Sequence, residues 1–483
     1  MRMLCVYTTD VAVKVNGRTS LIIPTDLPFG IASIATALKS AGHDVEMLVL
    51  SRGIPYKASF RALLVDFRPQ AVCFTSVSTQ FDFVTELAAL AKGSAQDTFV
   101  IVGGAHTTLN PEESISCSHI DAICVGEGDE SIVELAKQIG KGQSPSAIQG
   151  IWIKAGAKRV EKNPPGPFIP DLDSLPHIDR ELWDKWIINK DGPVSVLIGR
   201  GCPNRCTYCS NHAIARVSSG KYVRMRSPQS VISELGSVLE HYPGAETFYL
   251  EIETLGANHR YLFELCEALA SMNEQRESPL RFGVNYALAD RVIEDSALLR
   301  EIFVAMKKAN IIYLNVGLES GSERIRRDVL RRPRYSNSSI VKFCHYAREY
   351  SIDIRMQLLM GIPGESREDF METVRVVRKS QPTLYYLNIF YPYPGTDLYR
   401  LATDRGYIME SRKVFERRGT NLRLPGFSGL QVKIEFILFY LKVYRDHRSW
   451  PVIAMYTTVS FVQIAFPRLS NLLRGLKYRL RLK

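Results

Sequence analysis

Cys202, Cys206 and Cys209 fall within eight residues, in the segment Gly199-Arg200-Gly201-Cys202-Pro203-Asn204-Arg205-Cys206-Thr207-Tyr208-Cys209. Their spacing is Cys-x3-Cys-x2-Cys. Thiolates at these offsets can converge from one loop on three corners of an iron–sulfur cube. With no fourth cysteine nearby, one iron would keep an open position for a small chelating ligand. A tetrahedral zinc site would instead want a fourth protein ligand, for which His212 is the candidate. The other cysteines (Cys5, Cys73, Cys117, Cys124, Cys266 and Cys344) sit singly, mostly in apolar runs, and read as buried free thiols.

The elements that must hold such a loop come in two series. Over the first 140 or so residues, apolar runs at Met3–Tyr7, Val45–Leu50, Ala71–Thr75, Phe99–Val102 and Ala122–Val125 alternate with helical patterns such as Gly30–Ala41, Phe81–Ala91 and Ser131–Ile139. That alternation predicts a doubly wound α/β domain of the Rossmann or flavodoxin type. From about Gly142 to Asp191 the chain is richer in Pro, Gly and Lys, which reads as a connection with one short hairpin. A second alternation follows, with strands expected at Val194–Ile198, Thr247–Glu251, Arg281–Asn285, Ile311–Val316, Ile354–Leu359 and Tyr385–Phe390. Six β/α units predict a partial barrel, whose chemistry belongs in the loops after the strand C-termini. The cysteine loop follows the first of these strands.

The cysteine spacing, with the aromatic Tyr208 before the last cysteine, resembles the radical S-adenosylmethionine superfamily. That resemblance implies a 4Fe-4S cluster on the three cysteines. Its open iron would bind the amino and carboxylate groups of S-adenosylmethionine, and one electron would release a 5′-deoxyadenosyl radical. Tyr208 would contact the adenine region. Other strand ends match in order. In Phe248-Tyr249-Leu250-Glu251-Ile252-Glu253 a carboxylate would meet the cofactor's ammonium, with Glu253 preferred to Glu251; both are expected on one strand face. In Asn315-Val316-Gly317-Leu318-Glu319-Ser320-Gly321, Gly317 would allow close backbone approach and Glu319 would bond the ribose or amino group. Gly361-Ile362-Pro363-Gly364-Glu365 is similar to the family's turn near the adenine, which places Gly361 and Pro363 there.

Four loops of the first domain resemble those of cobalamin-binding domains joined to radical enzymes: Pro28-Phe29-Gly30, Thr75-Ser76-Val77-Ser78-Thr79, Gly103-Gly104-Ala105-His106-Thr107-Thr108 and Gly126-Glu127-Gly128. Small residues at strand ends would let a large flat ring lie against the sheet edge. The residues so implied in cobalamin binding are Ser76, Ser78, Thr79, Gly103, Gly104, Thr107, Gly126, Glu127 and Gly128. With Tyr391-Pro392-Tyr393-Pro394-Gly395-Thr396 at the end of the last strand, the resemblance to the cobalamin-binding radical subfamily covers about residues 1–400. One departure stands out. The Asp-x-His-x-x-Gly motif that supplies a histidine to cobalt in mutases is absent around His43, His106 and His119, so cobalt with no histidine below it is expected.

The organisation expected is a cobalamin-binding domain over 1–142, a linker over 143–190, a radical core over 191–400 and a helical, basic segment over 401–483. Within the last, Trp450–Pro467 is uncharged and apolar, marginal in length for a spanning helix. The final sixteen residues hold Arg468, Arg474, Lys477, Arg479, Arg481 and Lys483 and no acid, six of the eleven excess positive charges. The basicity is therefore a poor argument for nucleic-acid binding, and none is expected. The Leu and Arg/Lys repeat over Leu469–Leu482 suits a helical cap with a solvated end, or peripheral contact with anionic lipid. No secretory leader is legible at Met1–Cys5, so a cytoplasmic protein is expected, with membrane association as the variant.

The function the resemblance implies is methylation of an unactivated carbon, or phosphorus, of a small molecule; contact of the C-terminus with a membrane would favour a lipid, terpenoid or tetrapyrrole substrate. The resemblance further implies that one S-adenosylmethionine methylates cobalt and a second generates the radical, with flavodoxin or ferredoxin as electron donor. Non-methylating cyclisation, ring contraction or oxidation in the same family is the alternative; a non-catalytic cobalamin- or metal-binding protein is the minor one.

Overall fold

A computed structural model describes residues 1–10, 13–15, 18–156, 159–409 and 418–466. The basic tail and the end of the Trp450–Pro467 run lie outside the described residues. The chain divides into two compact units: Met1–Gly201 with Ala213–Ala245, and Cys202–His212 with the residues from Glu246 onward.

The first unit is built on a seven-stranded sheet. Its strands neighbour one another in the order Asp44–Leu50, Arg2–Thr8, Ala71–Thr75, Phe99–Gly103, Ala122–Cys124, Ile151–Lys154 and Val160–Lys162. The first five are parallel, giving the 2-1-3-4-5 order of a flavodoxin-like fold. Their residues are nearly all buried, as continuous apolar runs covered on both faces require. Helices Phe29–Ser40, Lys57–Phe67, Phe81–Ser94 and Asp129–Gly140 alternate with them. The hairpin read in the connecting segment is Ile151–Lys154 with Val160–Lys162, and it extends the sheet antiparallel beyond Ala122–Cys124.

The second unit carries five parallel strands in sequence order: Thr247–Glu251, Arg281–Tyr286, Ile311–Glu319, Asp353–Met360 and Leu384–Ile389. Helices His259–Glu274, Ser296–Lys308, Asn337–Glu349 and Arg367–Ser380 separate them, as in an open, partial barrel. The strand expected at Val194 also forms, as Val194–Leu197, and runs through Gly199–Gly201 into the cysteines. Phe248, Leu250, Phe282, Val284, Leu314, Val316, Ile354 and Met356 are buried on one face of these strands. Two helices, Gly429–Tyr444 and Trp450–Ala465, close the described chain.

Candidate functional site

The first unit holds a cavity of about 300 Å³ at the C-terminal ends of its third, fourth and fifth strands. This is where open α/β sheets bind ligands. Phe74, Ile101, Ile31, Ile34 and Ile132 make it apolar, and Gly103, Gly104, Gly126 and Gly128 shape its wall. Gly104 has φ +99°, and a Cβ there would lie 2.7 Å from the Ser76 carbonyl oxygen. Only glycine fits that position. Of the residues implied in cobalamin binding, Gly103, Gly104, Gly126, Glu127 and Gly128 line the cavity. Ser76, Ser78, Thr79 and Thr107 do not. Ser76 is buried and its N–H donates to Gly103 O at 2.9 Å. Ser78 Oγ bonds His106 Nδ1 at 3.1 Å. Thr107 is buried and donates to Gly104 O at 2.9 Å. Burial holds the His106 imidazole down at about 4, so it is neutral near pH 7.

Sequence reading named Glu127 but missed the charged groups around it in the wall of this cavity. Arg200, two residues before Cys202, donates to both carboxylate oxygens of Asp129 at 2.9 and 3.1 Å and to Glu127 at 3.3 Å. Ser33 also donates to Asp129. Arg224 meets Glu127 in a two-pronged pair, both contacts at 2.8 Å. Burial pushes the Glu127 carboxyl up, but Arg224, Arg200 and the Ile169 N–H outweigh it and hold it below the ordinary range. Asp129 behaves likewise: burial raises it, Arg200 and Ser33 lower it further. The cavity therefore has an apolar floor and a rim of fixed, ionised groups. An apolar cradle with few placed polar groups and backbone approachable at glycine suits a large ligand carrying amide side chains, as cobalamin does. The fit is good.

In the second unit the cysteine loop is pinned from behind. Thr207 N–H donates to Leu330 O at 3.1 Å, its hydroxyl to Val329 O at 2.6 Å, and its carbonyl accepts from Leu398 N–H at 2.9 Å. Val329 ends a π-helical turn, Ile325–Val329. Gly201, with φ +86°, opens the loop; a Cβ there would strike the Tyr222 carbonyl oxygen at 2.2 Å. All three cysteines are free thiols, and Cys206 is buried. Burial, then the neighbouring Glu253 carboxylate, pushes Cys202 up to about 11 and Cys209 up to about 12, so iron must displace their protons. Among the described residues, no three His, Cys, Asp or Glu side chains are arranged to hold a single metal ion. His212, the fourth ligand a zinc site would need, bonds Asp397 at 3.2 Å through Nε2. A cubane distributes its cysteines over separate irons, so three thiols on one loop with no fourth fit the cluster better than a mononuclear ion.

Arg332 organises the surroundings and was also missed. It is 3.7 Å from Cys206 Sγ, 3.3 Å from the Tyr208 hydroxyl, 3.9 Å from Glu319 and 2.6 Å from Gly317 O. The close approach expected at Gly317 is thus made by the chain's own guanidinium. Glu319 has φ +60°, at a register shift between its strand and Asp353–Met360. A non-glycine residue held there is a strained feature of the kind found at functional sites. Burial raises the Glu319 carboxyl, with Arg332 and Tyr208 opposing. Gly361 (φ +71°) and Ile362 donate their N–H groups to Glu365 Oε2 at 2.7 and 3.2 Å, which fixes the turn containing Pro363. The expected pair Glu251 and Glu253 is split: the strand stops at Glu251, and Glu253 lies exposed in the loop beyond it. Burial, then Glu253, pushes Glu251 up to about 7.

The face of the strands opposite the apolar core is polar, unlike the branched aliphatic interior usual in such barrels. Tyr249 donates to Asn285 at 2.7 Å, Asn315 donates to the Tyr249 oxygen at 3.2 Å, and the Arg355 guanidinium lies 3.4 Å over the Tyr313 ring.

Comparison with known proteins agrees with this geometry. Residues 26–136 match the B12 binding domain, and residues 196–377 match the radical SAM superfamily. The chain is 26% identical over 452 residues to an uncharacterised methyltransferase of Pyrococcus horikoshii, covering 91% of this chain and 92% of that protein. It is 24% identical to the anaerobic magnesium-protoporphyrin IX monomethyl ester cyclase of Rubrivivax gelatinosus, covering 80% and 68%. Its fold is similar to the radical S-adenosylmethionine methyltransferase TsrM of Kitasatospora setae, with a TM-score of 0.65, 18% identity, and 84% and 75% of the two chains covered.

Proposed function

We propose that this cobalamin-dependent radical S-adenosylmethionine enzyme methylates an unactivated carbon, or less often phosphorus, of a small-molecule biosynthetic intermediate. The observation that carries the reading is the methyltransferase relative, which matches along 91% of this chain and so spans both units. When bound, the cluster with S-adenosylmethionine supplies hydrogen abstraction, and cobalamin supplies methyl transfer.

The chain's own groups would divide the work as follows. Cys202, Cys206 and Cys209 hold the cluster, and Arg332 offsets negative charge beside Cys206. Glu253 or Glu251 meets the ammonium of S-adenosylmethionine. Glu319 bonds its ribose or amino group, and Tyr208 with the Gly361–Pro363 turn contacts the adenine. Arg332 locks Tyr208 and Glu319 in place, since it touches both. Gly103, Gly104, Gly126, Glu127 and Gly128 hold cobalamin; Ser76, Ser78, Thr79 and Thr107 support the loops around it. The substrate, of lipid, terpenoid or tetrapyrrole type, lies against the polar strand face carrying Tyr249, Asn285 and Asn315. A flavodoxin or ferredoxin delivers the electron.

The test uses anaerobically purified, cluster-reconstituted protein with a strong reductant and methyl-labelled S-adenosylmethionine. S-adenosylhomocysteine that appears only when cobalamin is added, and 5′-deoxyadenosine beside it, support methyl transfer. If 5′-deoxyadenosine forms without S-adenosylhomocysteine, the reading gives way to cyclisation, ring contraction or oxidation, as the match to the cyclase allows.

A further inference from the structure

The helix Trp450–Ala465, WPVIAMYTTVSFVQIA, contains no Asp, Glu, Lys or Arg, and Ile453 is its one buried residue. Trp450 is 67% exposed, Met455 53%, Val459 46% and Phe461 47%, with Phe466 just beyond at 53%. Pro451, Met455 and Val459 recur every fourth position, so they share one helix face. On its other side the helix is held by Gly429–Tyr444, where Tyr456 stacks on Tyr440 at 4.4 Å between centroids. A helix fixed in place with an apolar face turned to water is uncommon in a chain that works alone in solution, and such patches mark interaction surfaces.

Two facts on the same stretch of chain select the partner. No helix among the described residues is long and apolar enough to cross a membrane. The sixteen residues 468–483 carry six cations and no acid. Apolar and aromatic side chains with a dense run of cations next in sequence match an anionic bilayer surface: hydrocarbon to receive the helix, acidic headgroups to pair the cations. A second copy of the chain would accept the apolar face, but it would not call for the cations. We propose that Trp450–Ala465 lies in the interface of an anionic membrane, with Trp450, Met455, Val459 and Phe461 entering the headgroup–acyl boundary and residues 468–483 binding acidic lipid.

The test is flotation of the full-length reconstituted chain with vesicles of equal parts phosphatidylglycerol and phosphatidylcholine, against phosphatidylcholine alone. Binding to the anionic vesicles is expected to be at least about tenfold stronger and to weaken in roughly 0.5 M salt. Met455→Asp with Val459→Asp should lower it at least about tenfold, with the thermal melt and 5′-deoxyadenosine formation unchanged. Arg474→Glu with Arg479→Glu should narrow the gap between the two lipids. Failure of the wild type to float with anionic vesicles, or undiminished flotation of the Asp variant, overturns the proposal. So does a wild-type dimer in light scattering that the Asp variant turns monomeric without any vesicle binding, which would assign the face to a second copy.

Discussion

The cavity of the first unit is made largely of what is missing. Four glycines leave room at the strand ends, and its charges are fully paired, Asp129 and Glu127 against Arg200 and Arg224. The cysteine loop of the second unit is made of what is crowded in. Tyr208, Glu319, Cys206 and Gly317 O all converge on one buried guanidinium, and Glu319 sits on strained backbone to reach it. The first arrangement suits a large ligand held by backbone and shape. The second suits a small charged ligand held by side chains. Substitutions should therefore fail differently in the two places.

The largest effect is expected at Cys206→Ala. Without the thiolate the cluster should not assemble, and 5′-deoxyadenosine formation should fall to background while cobalamin binding to the first unit persists; absorbance and product chromatography read both. Retained cleavage activity would break the assignment of the loop. Next comes Arg332→Met, which leaves Glu319 buried with its cation gone. Breaking such a pair costs about 3–5 kcal/mol, read as a lower denaturation midpoint together with a raised KM for S-adenosylmethionine. An unchanged midpoint would mean that the guanidinium does not organise the site.

Gly104→Ala is the matching cut in the first unit. The positive φ and the contact with Ser76 should cost about 1–3 kcal/mol and lower cobalamin affinity, with cluster content intact. If cluster content fell instead, the contrast between the two regions would collapse. The smallest effect is a pH slope. Burial raises Glu365 to about 8, opposed by the N–H groups of Ile362 and Gly361. The folded chain then keeps a proton that the unfolded chain releases near pH 4.5, so stability should decline as pH rises from about 4.5 to 8 and level off above. Melting curves of Glu365→Gln should lack that decline; a slope equal to the wild type's would locate the titration elsewhere.

The two regions also differed in how far the sequence exposed them. The three cysteines and the strand-end glycines were legible because they are local: their spacing or their place after a strand carries the signal. All five strands expected over the first 140 or so residues and all six of the later series form where apolar runs marked them, with ends shifted by at most a few residues. The pairs that finish each site are not local. Arg200 meets Asp129 across 71 positions, and Arg332 meets Tyr208 across 124. A single arginine in the sequence reads as a solvated charge until the fold pairs it. Glu253 was expected on one strand face with Glu251, but the strand ends at Glu251, where its expected bounds also ended, and Glu253 lies exposed in the loop beyond.

The hairpin Ile151–Lys162 bears on how the first unit can be handled by itself. It shields the three-residue strand Ala122–Cys124, which would otherwise be the open edge of a parallel sheet. A fragment ended at Gly142 would keep every glycine of the cavity yet bare that edge, and would lose Arg200 and Arg224. Unpaired N–H and C=O groups on such an edge recruit other chains, so the shorter fragment should precipitate where one carried through Ala245 stays dispersed.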